Sequence, residues 1–434
     1  MRISELRLHP VAIADAPLRS SYGLHAPYAL RTIVELKTTD GLTGIGETYG
    51  GDGPLAALEG VREMVTGMDP FDLTRFWQHL GTGTGAGDRS QTFLVPGENP
   101  LDQHTRTFAA IEVACLDIIG QAVGKPLCDL TGGRARDEAP FSAYLFYKHG
   151  GGGGLGEDAR EDEYGEGLDP AAMVRQARQM IDRYGFREIK LKGGVLDPPV
   201  EIATIKALRE AFGPAYPLRI DPNCAWSVET SVQVGEALQG ELTDGGYLED
   251  PTASLEGMAE VRRRLLGRGI ETPLASNVAT TSFEHVPKAW QLDAVQIVLS
   301  DPHYWGGIRN QQRLSHLCKV LGLGVSMHSN NHLGVSMMIM AHAAAASEHL
   351  THACDTHYPW QTEQDEVVEG GRVPIVNGCV ALSRDKPGLG VTLDYDQVAR
   401  GRERYEKLPY RKRDDEAEMQ KRIDPGWKRV LPRW

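Results

Sequence analysis

The chain lacks any long apolar run. Its longest, Val335 to Ala346, carries His342 and falls short of the roughly 20 residues that span a bilayer, so no transmembrane helix is expected. The first residues, Met1-Arg-Ile-Ser-Glu-Leu-Arg-Leu-His9, scatter charge where the apolar core of a secretory leader would lie, and none is expected. Cysteine is sparse: Cys115, Cys128, Cys224, Cys318, Cys354 and Cys379 stand apart, with no CxxC pair to offer a zinc or dithiol spacing. A reduced, cytoplasmic protein is the resulting expectation. Positive charge is in deficit, 46 Lys+Arg against 59 Asp+Glu, for a net charge of −13. Such a surface repels phosphate backbones and anionic headgroups, which argues against nucleic-acid or membrane partners.

What is present suits a large globular protein. The 434 residues are 41% hydrophobic and 24% charged, enough for a substantial core and for either several domains or one barrel with an appendage. Residues 2 to 9 and 30 to 37 read as strands, and Asp40-Gly41 before Leu42 to Ile45 is a hairpin signal. From Leu55 to about Gly124 the pattern turns helical, with Ala110, Ile111, Ala114, Cys115 and Ile118 on one stripe, which predicts a small α+β domain. After Ala139 short apolar runs alternate with amphipathic segments. The runs are Ser142–Tyr147, Glu188–Lys192, Leu218–Asp221, Tyr247–Glu249, Leu274–Asn277, Val295–Asp301, Gly324–His328 and His352–Asp355. Asp169-Pro170 marks a helix start, and Leu314, Leu317, Cys318 and Leu321 repeat the helical spacing later. Eight such units predict an α/β fold of the (β/α)8 TIM-barrel type. The run Gly150 to Gly154 has no Lys-Ser/Thr after it and leads into acidic residues, so a mobile loop is expected rather than a phosphate cradle. The basic tail from Arg402 to Arg433 is interleaved with acids and reads as a solvated segment.

In such a barrel the chemistry sits where strands end, and nearly every run here closes on a polar residue. Lys190 and Lys192 close the second, Asp221 the third, Glu249 the fourth, Asn277 the fifth, Asp301 the sixth, His328 the seventh and Asp355 the eighth. Successive gaps from Lys192 are 29, 28, 28, 24, 27 and 27 residues, one barrel unit each. Any one of Asp221, Glu249 and Asn277 alone reads as a cap or turn residue. Three hard oxygen donors in register instead suggest Mg2+ held with positions open to water and substrate. Lys190 and Lys192 share one side of their strand, where each ammonium disfavours protonation of the other, and one could act as a general base. Asp301 and His328 end neighbouring strands, where the carboxylate can hold the imidazole's tautomer. His328-Ser-Asn-Asn-His332 lacks the Glu of a zinc-binding helix and is not read as one.

These stretches resemble the enolase superfamily, and within it the glucarate dehydratases. The resemblance is carried by Lys190-Leu-Lys-Gly-Gly-Val195, Asp221-Pro-Asn-Cys-Ala-Trp226, Glu249-Asp-Pro251, Ser276-Asn277, Asp301-Pro-His303, His328-Ser-Asn-Asn-His332 and Asp355-Thr-His357. It implies an enolase-like barrel over residues 139–385, closed by a capping domain built from residues 1–138 and the segment 386–434. It implies Mg2+ on Asp221, Glu249 and Asn277, and Lys190, Lys192, Asp301 and His328 as catalytic groups. His25 then resembles a capping-loop substrate contact, Tyr144 a contact from the first barrel strand, and Asn223, Ser329 and His357 further polar contacts. Arg413 resembles the tail arginine that takes the distal carboxylate. Two features depart from the family: Gln103-His104 stands where a threonine is common, and the stretch 149–168 is an extra loop.

The implied activity is a hydro-lyase reaction in acid-sugar catabolism. A proton next to a carboxylate is removed, the β-hydroxyl leaves as water, and a 5-keto-4-deoxy diacid results, D-glucarate being the expected substrate. The implied partners are a small acid sugar and further copies of the same chain in a homo-oligomer. Dehydration or epimerisation of another acid sugar is the alternative within the superfamily, and a silent sugar-acid binding protein the alternative outside catalysis; binding alone needs neither Lys192 nor the Asp301–His328 pair.

Overall fold

The computed structural model describes residues 1–80 and 103–434. The N-terminal sheet forms from β1 (Ile3–Ala14), β2 (Tyr28–Thr38) and β3 (Thr43–Tyr49), antiparallel in that order. Its second hairpin turns at Asp40-Gly41 as expected, with Thr38 N donating to Leu42 O at 2.9 Å. The first two strands outrun the sequence reading because residues 10–14 are buried without alternation, which hides the period-two signal.

The expected helical stretch contains helices over Asp52–Gly60, Arg62–Val65 and Leu73–Leu80 and the long α1 (Gln103–Val123); its residues 81–102 lie outside the described residues. The stripe Ala110, Ile111, Ala114, Cys115, Ile118 is buried, but so is all of 106–120. That helix is sandwiched between the sheet and the barrel, and Glu112 on its barrel side accepts from Ile308 N at 2.7 Å and Arg309 Nε at 2.6 Å.

Seven parallel strands follow in sequential order, β4 (Ala143–Phe146), β5 (Ile189–Lys192), β6 (Leu218–Asp221), β7 (Tyr247–Glu249), β8 (Leu274–Ser276), β9 (Ile297–Ser300) and β10 (Gly324–Met327). Between and after them run α2 (Pro170–Tyr184), α3 (Pro198–Phe212), α4 (Val228–Ala237), α5 (Leu255–Leu266), α6 (His285–Gln291), α7 (Gly307–Leu321) and α8 (Gly334–Ala346). Asp169 caps α2 by accepting from Ala172 N at 2.8 Å, with Pro170 in the first turn, where its missing N–H costs nothing.

The eighth unit differs from expectation. Residues 352–355 close the ring without forming a full strand: Asp355 N donates to Met327 O at 2.8 Å, and Ser142 N donates to Cys354 O at 2.9 Å. No barrel helix follows, because the chain turns at once into a short 3-10 turn, Tyr358–Trp360, led by Pro359. The ring is therefore a barrel whose eighth strand is reduced to a bridge between Phe141 and Cys354.

Two loop expectations are corrected. The stretch 149–168 is tied down: Lys148 Nζ donates to both oxygens of Asp162 at 2.8 and 2.9 Å, and Gly151 N and Gly165 N donate to the same carboxylate. At Gly153, with φ 90°, an added Cβ would stand 2.3 Å from the backbone oxygen of Asp15, so only glycine permits the loop to lie against residues 15–28. The tail is not a free solvated segment either. Its α9 (Tyr395–Lys407) lies on β1, where Arg404 Nε donates to Ala12 O at 3.0 Å, and its α10 (Asp415–Arg422) buries Met419 with Leu24 and Trp427. The last residues return to the barrel mouth, Arg433 N and Trp434 N both donating to Ala225 O. No helix among the described residues is long and apolar enough to cross a membrane.

Candidate active site at the barrel mouth

Strand ends and the loops just beyond them bring the expected side chains to one place. Lys190, on β5, is wholly buried, with Nζ 2.5 Å from Asp355 Oδ2, 2.6 Å from Glu249 Oε2 and 3.7 Å from Asp221 Oδ2. Burial alone would discharge it, but Asp355 and Glu249 outweigh that and hold its pKa well above the ordinary lysine value. Lys190 is therefore held in its charged form by its carboxylate neighbours. Lys192, 6% exposed, places Nζ 2.5 Å from Asp221 Oδ2.

Asp221 is crowded with donors. Tyr144 OH reaches Oδ2 at 3.3 Å, while Asn223 gives its backbone N at 3.0 Å and its Nδ2 at 2.9 Å to Oδ1. Burial works against its ionisation, yet Lys192 and Lys190 outweigh it and keep the carboxyl below the usual range. Glu249 is the opposite case: burial and then the Asp221 charge push it well up.

The three proposed metal donors fit a hard cation. Glu249 Oε1 and Asn277 Oδ1 are buried without a hydrogen-bond partner among the described residues, while Glu249 Oε2 faces Lys190. Buried acceptors left open are costly unless something occupies them, and a divalent cation would relieve the repulsion between Glu249 and Asp221. Among the described residues no group of three His, Cys, Asp or Glu is arranged to hold a metal; the candidate set here is two carboxylates and an amide oxygen. Asp250, next to Glu249, positions Asn277: its carboxylate accepts from Ser276 Oγ at 2.6 Å and from Asn277 N at 2.8 Å.

Across the ring, Asp301 holds two imidazoles. His328 Nδ1 lies 3.2 Å from Oδ2 and His303 Nδ1 2.6 Å from Oδ1, and Tyr49 OH from β3 donates to Oδ2 at 3.3 Å. Burial opposes the charge on Asp301, but His303 and His328 outweigh it and the carboxyl stays far below its usual range. With Nδ1 engaged, His328 has Nε2 free for chemistry.

The remaining expected contacts fall into two groups. Ser329 Oγ and His357 Nδ1 are 2.9 Å apart, and the His357 ring packs on Tyr144 and Phe146; burial, then the neighbouring His25 and His328, pushes His357 well below the ordinary histidine value. His25 and Arg413 meet instead at Asp15, with Nδ1 of His25 at 3.1 Å and Nη1 of Arg413 at 3.0 Å from its Oδ2. Arg413 also donates to Asn331 Oδ1 at 3.1 Å and pairs with Asp415 at 2.7 Å.

A cavity of about 610 Å3 lies beside this group, between residues 22–54, the tail and the barrel mouth at Asn330 and Asn331. It reaches the chemistry through Tyr49 and Asn330, whereas Lys190, Lys192 and their carboxylates, packed on one another, do not line it. Sequence reasoning gave no role to Asp15, Tyr49, Asp250 or His303. Asp355 carried a signal, the 27-residue spacing after His328, but was not placed in the site.

The chain matches two family descriptions, Mandelate racemase / muconate lactonizing enzyme, N-terminal domain, over residues 4–132, and Enolase C-terminal domain-like over residues 172–398. A Streptomyces coelicolor protein called a probable glucarate dehydratase is 44% identical across 100% of this chain and 99% of its own length. An L-talarate/galactarate dehydratase of Salmonella typhimurium is 24% identical, over 83% of this chain and 80% of its own. Among solved structures, a Pseudomonas fluorescens enolase with bound magnesium, potassium and tartrate superimposes with a TM-score of 0.91 at 44% identity, covering 100% of this chain and 99% of that one. A Mycobacterium smegmatis enolase complexed with tartrate gives 0.90 at 45% identity, with 100% and 98% covered.

Proposed function

The chain belongs to the enolase superfamily, and from that membership we propose that it is a Mg2+-assisted acid-sugar dehydratase acting on a C6 diacid of the D-glucarate type. The observation that carries the reading is a pair of separately held bases, Lys192 on Asp221 and His328 on Asp301, from the second and seventh strands and so on opposite sides of the ring. The name of the full-length relative supports the substrate class.

When bound, a divalent cation on Asp221, Glu249 and Asn277 supplies positive charge at the substrate carboxylate. Lys190, kept protonated by Asp355 and Glu249, adds a second charge where the enediolate develops. His328, oriented by Asp301, takes the proton from the carbon next to that carboxylate through Nε2. It then returns the proton to the departing β-hydroxyl, which leaves as water, and the remaining enol ketonises to the 5-keto-4-deoxy diacid. Lys192 serves the epimer whose α-proton faces the other way. Tyr144, Asn223, Ser329, His357 and His25 orient the hydroxyls, and Arg413 addresses the far carboxylate.

On the same reading the protein is a cytoplasmic homo-oligomer with no nucleic-acid or membrane partner, and its mass in solution is expected to be a multiple of 47.6 kDa. Screening the purified protein with Mg2+ against a panel of hexarates, hexonates and pentonates tests the activity. Keto-acid formation from D-glucarate supports it; epimerisation alone, or turnover of hexonates only, contradicts it.

A further inference from the structure

We infer that Arg429 is a second specificity-determining guanidinium, one that takes the far carboxylate of a diacid substrate; the inference rests on the dehydratase reading above. The reason lies in the charge state of Arg413. Its guanidinium is already shared between Asp15 and Asp415, so a far carboxylate that it addresses calls for a further positive charge beside it.

The other cations lining the cavity are also engaged. Arg31 is paired with Glu47 at 2.7 Å, Arg411 donates to the carbonyls of Leu408 and Tyr410 at 2.7 and 2.9 Å, and Lys412 has a partner of its own. Arg429 is the exception. Its Nη2 is buried without a hydrogen-bond partner among the described residues, and, as with Arg411, no carboxylate among them pairs with it. Its carbon Cζ lies 4.1 Å from the ring centroid of Tyr22, a cation–π contact that holds the guanidinium beside the cavity it lines. Tyr22 in turn stands beside the metal-site loop, since Ser21 Oγ donates to Asn223 O at 3.3 Å. The tail that carries Arg429 is pinned to that loop through Arg433 and Trp434 on Ala225. A carboxylate in the cavity would satisfy the orphaned edge with a charge-assisted, bidentate contact.

Arg429→Gln keeps a planar group over Tyr22 and removes the charge. With D-glucarate, KM is expected to rise roughly tenfold or more while kcat changes little, and kcat/KM for D-gluconate is unchanged; Arg429→Lys retains part of the diacid preference. A parallel loss on both acids would mean that Arg429 only fastens the tail, and an unchanged KM for the diacid would overturn the inference outright. Binding of the same two acids, in Mg2+, to the turnover-silent Lys192→Met, His328→Asn protein separates the two readings. If the wild type turns over neither acid, the dehydratase reading fails, yet a diacid preference in binding that Arg429→Gln abolishes still supports Arg429. If turnover is normal and binding to the silent protein shows no such loss, Arg429 is refuted alone.

Discussion

Glu249 is buried beside Asp221, and that neighbour together with lost hydration pushes its carboxyl far up. Its Oε2 also pairs with Lys190, which keeps Asp355 as a second partner, so Glu249→Gln is expected to fold with a lowered Tm while turnover in Mg2+ falls by about a hundredfold or more. Near-normal turnover, or a wild type indifferent to chelator, would remove Glu249 from the metal set. His328 and Lys192 give a second test at the same scale. His328→Asn should lose dehydration of D-glucarate and still exchange the α-proton of the opposite epimer in deuterated solvent, through Lys192; exchange of both epimers by each single variant would break the two-base scheme. Residues such as these were legible in the sequence because barrel periodicity puts one polar side chain at each strand end. Asp15, Tyr49 and His303 were not legible. Asp15 acts through Asn331 and Arg413, and Tyr49 reaches Asp301, across separations of hundreds of residues that no local pattern records. His303 lies two residues from Asp301, but only the folded turn points its ring at that carboxylate.

At the scale of elements, the turn after β5 decides how Lys192 is presented. Glu201, at the start of α3, is buried, and its carboxylate oxygens accept from Gly194 N, Val195 N and Leu196 N at 2.9, 2.9 and 3.0 Å. Gly194, with φ 70°, has no room for a Cβ beside Pro222 O, so the turn is locked from both sides. Burial, against the pull of these donors, raises the Glu201 carboxyl from 4.5 to about 7. The folded state thus binds this proton more tightly than the unfolded chain. Its contribution to stability is complete below about pH 4.5 and is lost as the pH rises through 7, an effect on the order of 3 kcal/mol. Glu201→Gln removes that ionisation, so thermal melts from pH 5 to 8 should fall less steeply for the variant; parallel profiles would contradict the assignment. Helix α2 and the β2–β3 turn were legible because caps and turns are local chemistry. The eighth strand was misjudged because its apolar run is real but its pairing lasts only a bridge. The glycine-rich loop was misjudged because its anchors, Lys148 on Asp162 and Arg160 on Asp365, are ion pairs formed by the fold.

For the whole molecule, the chain runs from the N-terminal sheet to the barrel and back, α9 lying on β1, and the candidate site draws on all three parts. Asp15, Tyr49 and His25 come from the N-terminal part, the lysines, carboxylates and His328 from the barrel, and Arg413 and the proposed Arg429 from the tail. The barrel was legible as a repeat of about 27 residues; the tail's charges alone read as solvated, although the resemblance implies that it completes the cap, and its anchors are the Arg404 bond to Ala12, the burial of Met419 and Trp427 beside Leu24, and the bonds of Arg433 and Trp434 to Ala225. Dehydration is read from proton NMR of D-glucarate incubated in deuterated buffer with the protein and Mg2+. The expected result is loss of the substrate and growth of a 5-keto-4-deoxy diacid carrying one solvent deuteron at carbon 4, with no reaction once the metal is chelated. Recovery of D-glucarate unchanged, or of an epimer deuterated at carbon 5 with no water lost, would contradict it.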